Sequence, residues 1–234
     1  MTIGYLDYPL AGGYIHNWLV AGPAATVVPD LARFTGADYK LQIARHYHEP
    51  DSGVNETPAE MQPFVAGETS LKWNYVRCRD DHYVDLSVFH HETTYLRAWA
   101  YVEVVSAAAQ GEAQLRTVTC TLTTNGPADV WLNGHHVHRQ EHFYHQLPKR
   151  VTFELALQPG PNPLLVRMEQ VAARECPYAM ALHLGTGKGL SVRLPTAIAP
   201  AERRARFERA FSAAHLRQDV FKADEQVAFY WPED

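Results

Sequence analysis

Asp129-Val130-Trp131-Leu132-Asn133-Gly134-His135-His136-Val137-His138 is the stretch whose reading decides the fold. Asn-Gly stands between two short runs, and both central residues of a type I′ turn need positive φ, which this pair tolerates best. The stretch therefore predicts a two-residue β-hairpin. Outward from it, the side chains repeat with a period of two. Leu96, Ala98, Ala100, Val102 and Val104 alternate with Arg97, Trp99, Tyr101 and Glu103. Within 114–123, Val118, Cys120 and Leu122 share one face and Thr117, Thr119, Thr121 and Thr123 the other. Val151, Phe153, Leu155 and Leu157 repeat the pattern, as do Tyr178, Met180, Leu182 and Leu184. One apolar and one wet face per strand predicts antiparallel sheets packed on a single shared core.

Breaks punctuate these runs. Asn125-Gly126-Pro127 is one. Pro159-Gly160-Pro161-Asn162-Pro163 is a second, too rich in proline to read as strand. Gly185-Thr186-Gly187-Lys188-Gly189 lacks both the earlier glycine and the Ser or Thr after lysine that a phosphate loop needs, so it reads as a turn between strands. Residues 46–67 are polar, with Pro50, Pro58 and Pro63, and predict a long loop or insertion at 45–70. The run 200–216 predicts a helix with Phe207, Ala210, Phe211 and Ala214 on one face. Val227, Phe229 and Trp231 alternate in a further expected strand. The division expected is a β-sandwich domain over 1–200, a connector helix over 201–218, and the start of a following domain or a docking strand over 219–234.

Composition narrows the function classes. The chain has 234 residues, 46% of them hydrophobic, enough for a substantial core. Its formal net charge of −5 is spread along the sequence, which speaks against a nucleic-acid partner. No run approaches the roughly 20 apolar residues of a membrane span. The N-terminus shows no basic n-region or apolar h-region, and Cys78, Cys120 and Cys176 are odd in number and far apart, so reduced thiols in a cytoplasmic protein are expected.

Between Trp73 and Met168 the motifs fall in a recognisable order. Trp73-Asn74-Tyr75 precedes Tyr83-Val84-Asp85-Leu86-Ser87. The strand from Ala98 to Val104 follows, then the Asp129–Gly134 hairpin, then Pro159-Gly160-Pro161-Asn162-Pro163 leading into Leu164-Leu165-Val166. Together they resemble the galactose-binding-domain-like jelly roll that accompanies bacterial glycoside hydrolases, and Trp18–Pro23 resembles the opening strand of such modules. The resemblance implies a mainly β, antiparallel sandwich that is not itself catalytic. It would support a catalytic domain of the same polypeptide beyond residue 234, with sugar contact at the rim as an optional role. No cofactor is expected.

Three sets of side chains carry candidate chemistry. Sugars stack their apolar faces on aromatic rings and hydrogen-bond to amides, which nominates Trp73, Trp99, Trp131, Asn133 and Tyr144. Trp131 alternates with Val130 and Leu132 and should point away from the core. Histidine is over-represented, 13 in all, with five between His135 and His145. On a regular strand His136 and His138 share a face with Glu141 close behind, a fragment of the cupin-type metal pattern and the basis of an alternative reading as a metal-dependent jelly-roll enzyme. His46 or His48 could complete such a set; otherwise these are surface histidines. Asp80, Asp81, Asp85, Glu103, Asp129 and Glu141 read as solvated or capping carboxylates. A protein-assembly module is the third reading.

Overall fold

The computed structural model describes residues 4–107, 115–144, 147–196, 200–216 and 229–230. Sixteen strands and two α-helices organise them, the last two strands being the short pair His215–Leu216 and Phe229–Tyr230; the order opens with β1 (Gly4–Pro9), β2 (Asn17–Val27), α1 (Tyr39–Tyr47), β3 (Pro63–Ala66), β4 (Thr69–Lys72), β5 (Asn74–Arg77), β6 (Val84–Asp85) and β7 (Val88–Ser106). Then come β8 (Arg116–Thr124), β9 (Ala128–Leu132), β10 (His135–Gln140), β11 (Lys149–Leu157), β12 (Gly160–Cys176), β13 (Ala179–Leu184), β14 (Leu190–Thr196) and α2 (Pro200–Ala213). The larger sheet runs β1-β14-β7-β12-β9-β10, with β2 pairing both β7 and β5; the smaller runs β11-β8-β13-β6. Every strand pair in the two sheets is antiparallel.

The chain is thus an antiparallel β-sandwich with a C-terminal helix. The hairpin at Asn133-Gly134 has φ of 53° and 78°, the positive pair a type I′ turn requires. Between the sheets, Leu96, Ala98, Ala100, Val102 and Val104 meet Cys120, Leu122, Leu155, Leu157, Met180, Leu182 and Leu184 in one core cluster. Full burial of each large side chain there contributes roughly 1.5–3 kcal/mol. The threonine row of β8 faces outward at Thr117 and Thr119, as the alternation requires. Cys78, Cys120 and Cys176 are free and buried. The glycine-rich 185–189 segment is the turn joining β13 to β14.

Two expectations are corrected. The Pro159–Pro163 segment is not a break: β12 begins at Gly160, and Pro161 and Pro163 stand opposite Val105 and Glu103. In an antiparallel ladder a residue's N–H and C=O point the same way. The Pro163 carbonyl accepts from Asn133 N at 2.8 Å, on the β9 side, where β9 pairs β12 only from Leu164 onward. The missing proline donors therefore face an open edge and cost β7 nothing. Asn162, two residues beyond Gly160, locks the bend: its Nδ2 donates to the carbonyls of Gln158 and Gly160, and its Oδ1 accepts from Gln158 N at 2.7 Å.

The second correction concerns the wet face. On the larger sheet, the outward residues Tyr95, Arg97, Trp99, Tyr101, Asp129, Trp131, Leu165, Arg167, Glu169 and Val171 are all buried. Residues 28–73 cross back over them. Ile43 and Ala44 of α1 pack with Tyr95 and Val171. Phe64 of β3 meets Trp99 edge-on at 4.8 Å and Trp73 at 5.3 Å, and Ser52 O accepts the Trp99 indole N–H at 2.8 Å. The insertion forms a third layer, so both faces of β7 and β12 are interior.

Helix α2 leans on the sandwich through Arg203, which pairs with Glu60 and lies 5.8 Å from the Tyr75 ring. Phe207 and Phe211 remain 64% and 62% exposed. Of the strand expected around Val227, only Phe229–Tyr230 falls within the described residues, paired with His215–Leu216.

Candidate functional site

Under the insertion lies a row of charge built by cross-strand register. Arg139 of β10 stands opposite Asp129 of β9, which stands opposite Arg167 of β12. Asp129 Oδ2 accepts from Arg139 Nη1 at 2.6 Å and from Arg167 Nη2 at 2.9 Å, and Asp129 Oδ1 lies 2.9 Å from His136 Nε2. Glu169, fully buried, pairs with His48 Nδ1 at 2.9 Å and Arg139 Nη1 at 3.4 Å. Arg167 also donates to the carbonyls of Glu49 and Asp51, and Arg97 pairs with Glu49 at 2.5 Å. These contacts bolt the insertion to the sheet. Asp129 and Glu103, 1% and 6% exposed, are therefore not the solvated carboxylates expected. Asp81 and Asp85 do cap turns, accepting from Tyr83 N and Ser87 N.

Among the described residues, His48, Asp129 and Glu169 are the one set of three donors close enough to hold a metal ion. Arg167 Nη2 sits among them, 2.9 Å from Asp129, 3.3 Å from His48 and 3.7 Å from Glu169. The guanidinium already supplies there the positive charge a metal would bring, and a divalent ion would have to displace a residue with no solvent exposure. The alternative set of His136, His138 and Glu141 is not assembled. The ladder shifts register between His136 and His138, so His136 stands opposite Trp131 on the outer face and His138 opposite Val130 on the inner one. The His138 ring stacks on Phe153 at 4.1 Å, and Glu141 bonds Arg45 and Arg139. Its hydrogen bond with Arg45, then that with Arg139, holds the Glu141 carboxyl below the usual carboxylate range.

The nominated aromatics separate into two groups. Trp73, Trp99 and Trp131 are 2%, 1% and 6% exposed and fill the layer beneath the insertion. Trp131 does point away from the sandwich core, as alternation predicts, but residues 52–58 lie over it beside a small pocket of about 200 Å³, and Arg167 sits 5.1 Å from its ring. Asn133 Nδ2 donates to Asn162 and braces the hairpin. Tyr144 is the exception, 40% exposed and standing in an open cleft of about 600 Å³.

That cleft lies between the first turn of α1 and the segment after β10. Asp38, Tyr39 and Lys40 form one wall, Phe143 and Tyr144 the other, and Gln170, Cys176 and Pro177 close the base. Helix α1 is held at both ends: Asp38 and the Thr35 carbonyl accept from Gln42, and Arg45 reaches Glu141 at 2.9 Å. The opposing wall hangs from Asn125, whose carbonyl accepts from Tyr144 N at 2.8 Å and whose Oδ1 accepts from Ala179 N at 3.1 Å. Lys149 Nζ lies 5.4 Å from the Tyr144 ring. The Cys176 thiol at the base is pushed up to about 11 by burial and is no nucleophile at neutral pH. Two aromatic walls carrying a carboxylate and an ammonium form a surface that can stack a planar or sugar-like face and bind its polar edge. Tyr39 and Phe143 were not among the nominated residues; Phe143 is the chain neighbour of Tyr144, and Tyr39 joins them only because the fold brings α1 to the same cleft.

No family model and no curated protein matches the sequence. Among solved structures, similarity is found to a family 35 carbohydrate-binding module from an environmental isolate, at 10% identity and a TM-score of 0.28, over 81% of this chain and 96% of that one. The PA14 sugar-binding domain of an RTX adhesin matches at 11% identity and a TM-score of 0.33, over 73% of this chain and 91% of that one. An α-xylosidase from Xanthomonas citri matches at 10% identity and a TM-score of 0.29, over 83% of this chain and 19% of that enzyme.

Proposed function

We propose that this chain is a non-catalytic, carbohydrate-binding accessory module of a larger carbohydrate-active enzyme, a glycoside hydrolase, and that the cleft between α1 and Phe143-Tyr144 receives the sugar. The observation that carries the reading is that cleft, with exposed Tyr144 facing half-buried Tyr39 and with Asp38 and Lys40 at its lip. Pyranose C–H faces suit the rings, and their hydroxyls suit the charged groups.

A glycan-array screen followed by calorimetry on the best oligosaccharide tests the proposal. Binding should weaken at least about tenfold in Tyr144→Ala and in Tyr39→Ala, with thermal stability nearly unchanged for the exposed Tyr144. An array on which nothing binds, or variants that bind like the parent, would refute it.

A further inference from the structure

A second pocket, of about 200 Å³ and sharing no residue with the cleft, lies beside the Gly134 hairpin where residues 52–58 pass over the larger sheet. Its floor is a cross-strand row: Leu165 of β12 stands opposite Tyr101 of β7 on one side and Trp131 of β9 on the other. Opposed residues share a face, and strands lie about 4.8 Å apart, so the row offers an apolar strip roughly 10 Å long. Two residues back along the strands, the parallel row of Trp99, Arg167 and Asp129 is roofed by hydrogen bonds. Ser52 O takes the Trp99 N–H, and the carbonyls of Glu49 and Asp51 take Arg167. Beyond Ser52 the roof lifts. Val54 bonds only to Ser52, Glu56 to Gln62, and among the described residues 54–58 make no hydrogen bond to the sheet.

Trp131 gives this pocket its chemistry. It is 6% exposed, and its indole N–H has no hydrogen-bond partner among the described residues, whereas those of Trp18 and Trp99 donate to the carbonyls of Ile15 and Ser52. A buried indole N–H ordinarily finds an acceptor. This one is not sealed in protein, so an acceptor can reach it from the pocket that Trp131 lines. The rim carries an amide, a carboxylate and a hydroxyl on three consecutive exposed residues, Asn55, Glu56 and Thr57. One oxygen of Glu56 accepts from Gln62 Nε2 at 3.2 Å, which leaves the other for a ligand. No lysine or arginine lines the pocket.

We propose that this pocket is a further glycan site, independent of the cleft, and that it takes the single terminal ring of a neutral pyranose chain. The C–H face of the ring lies on the Trp131–Leu165 strip, one ring oxygen accepts from the Trp131 N–H, and the remaining hydroxyls meet Asn55, Glu56 and Thr57. The volume admits one ring and little more, since pockets for larger ligands begin at about 300 Å³. Glu56 is the one charged residue lining it, so it accepts from hydroxyls and repels a uronate or a sulfated sugar. An apolar peptide side chain would cover the floor but leave the indole N–H and the three rim groups unmatched.

The test is NMR of the full chain carrying isotope-labelled indole nitrogens, five in all, with the Trp131 resonance assigned as the one missing from Trp131→Phe. No tryptophan lines the cleft, so this resonance reports the pocket alone and its response is separable from any sugar binding at Tyr144. Titration with the methyl pyranosides of glucose, galactose, mannose and xylose should shift the Trp131 resonance for at least one of them, in the millimolar range expected of a single ring. The Trp18 and Trp99 resonances should stay in place. Thr57→Phe, exposed and at the rim, should block the mouth and abolish the shift. Methyl glucuronide should bind more weakly than the matching neutral sugar, and Glu56→Gln should narrow that gap by about threefold, the scale of one exposed charge. A Trp131 resonance that no methyl pyranoside moves, a shift that persists in Thr57→Phe, or a shift produced only by N-acetyl-leucinamide would overturn the proposal.

Discussion

Replacing Arg167 with leucine is the sharpest test of how the insertion is held. Leucine removes the guanidinium from Asp129 and Glu169, 1% and 0% exposed, and takes its donors from the carbonyls of Glu49 and Asp51. Breaking a buried ion pair from one side costs about 3–5 kcal/mol, because the partner charge stays buried. Arg139 still reaches both carboxylates, at 2.6 Å and 3.4 Å, which places the expectation in the lower part of that range. The two carbonyls lie on a loop and can turn to water, so they add little. For a chain of this size about 1 kcal/mol moves the melting temperature by roughly 2–4 °C, giving a fall of roughly 6–15 °C. Urea unfolding followed by far-ultraviolet circular dichroism should show the loss as a lower midpoint at unchanged slope. Adding Asp129→Asn to Arg167→Leu should recover part of it, since one stranded charge is gone. A single variant within about 1 kcal/mol of the parent would refute the view that this pair fastens the insertion.

Gly134→Val should cost about 1–3 kcal/mol from backbone strain alone, because φ is 78° and an added Cβ there meets nothing within 4 Å; an unchanged melting temperature would contradict the turn assignment. Gly126→Ala fails for the opposite reason: its Cβ would lie 2.2 Å from the Glu169 carbonyl, and a loss of more than about 1 kcal/mol by the same urea assay is expected. His138, stacked on Phe153, is held below the usual 6.5 by burial, then by its neighbour His136. A histidine with a depressed folded pKa binds fewer protons folded than unfolded, so its contribution is present above 6.5 and is lost as pH falls through the folded value. His138→Phe keeps the stack and should flatten the stability decline below pH 6.5; an acid limb as steep as the parent's would count against it.

What the sequence by itself determined is local. Asn133-Gly134 names its turn because positive φ at two successive residues admits few pairs, and the alternation in β8, β11 and β13 names the inner face because one flank of those strands stays wet. Tyr144 was nominated from the sequence only as one of several aromatic rings that could stack on a sugar. What the tertiary structure decided depends on residues far apart in the chain. The outward residues of β7, β9 and β12 look solvated in one dimension, and only the return of residues 28–73 over them makes Trp99, Trp131 and Arg167 interior. His136 and His138 have strand spacing, yet a register shift between them sends the rings to opposite faces, and a shift of one residue leaves no mark in a period-two pattern. Pro161 and Pro163 read as breakers until the ladder shows their nitrogens facing an open edge. Asp129, Arg139 and Arg167 form a row only through the pairing of three strands. The walls of the cleft come from residues about a hundred positions apart, brought together when helix α1 packs on the sheet beside the segment after β10. Propensity and period act over neighbours along the chain, whereas burial, register and charge pairing arise from contacts that exist only once the layers have closed.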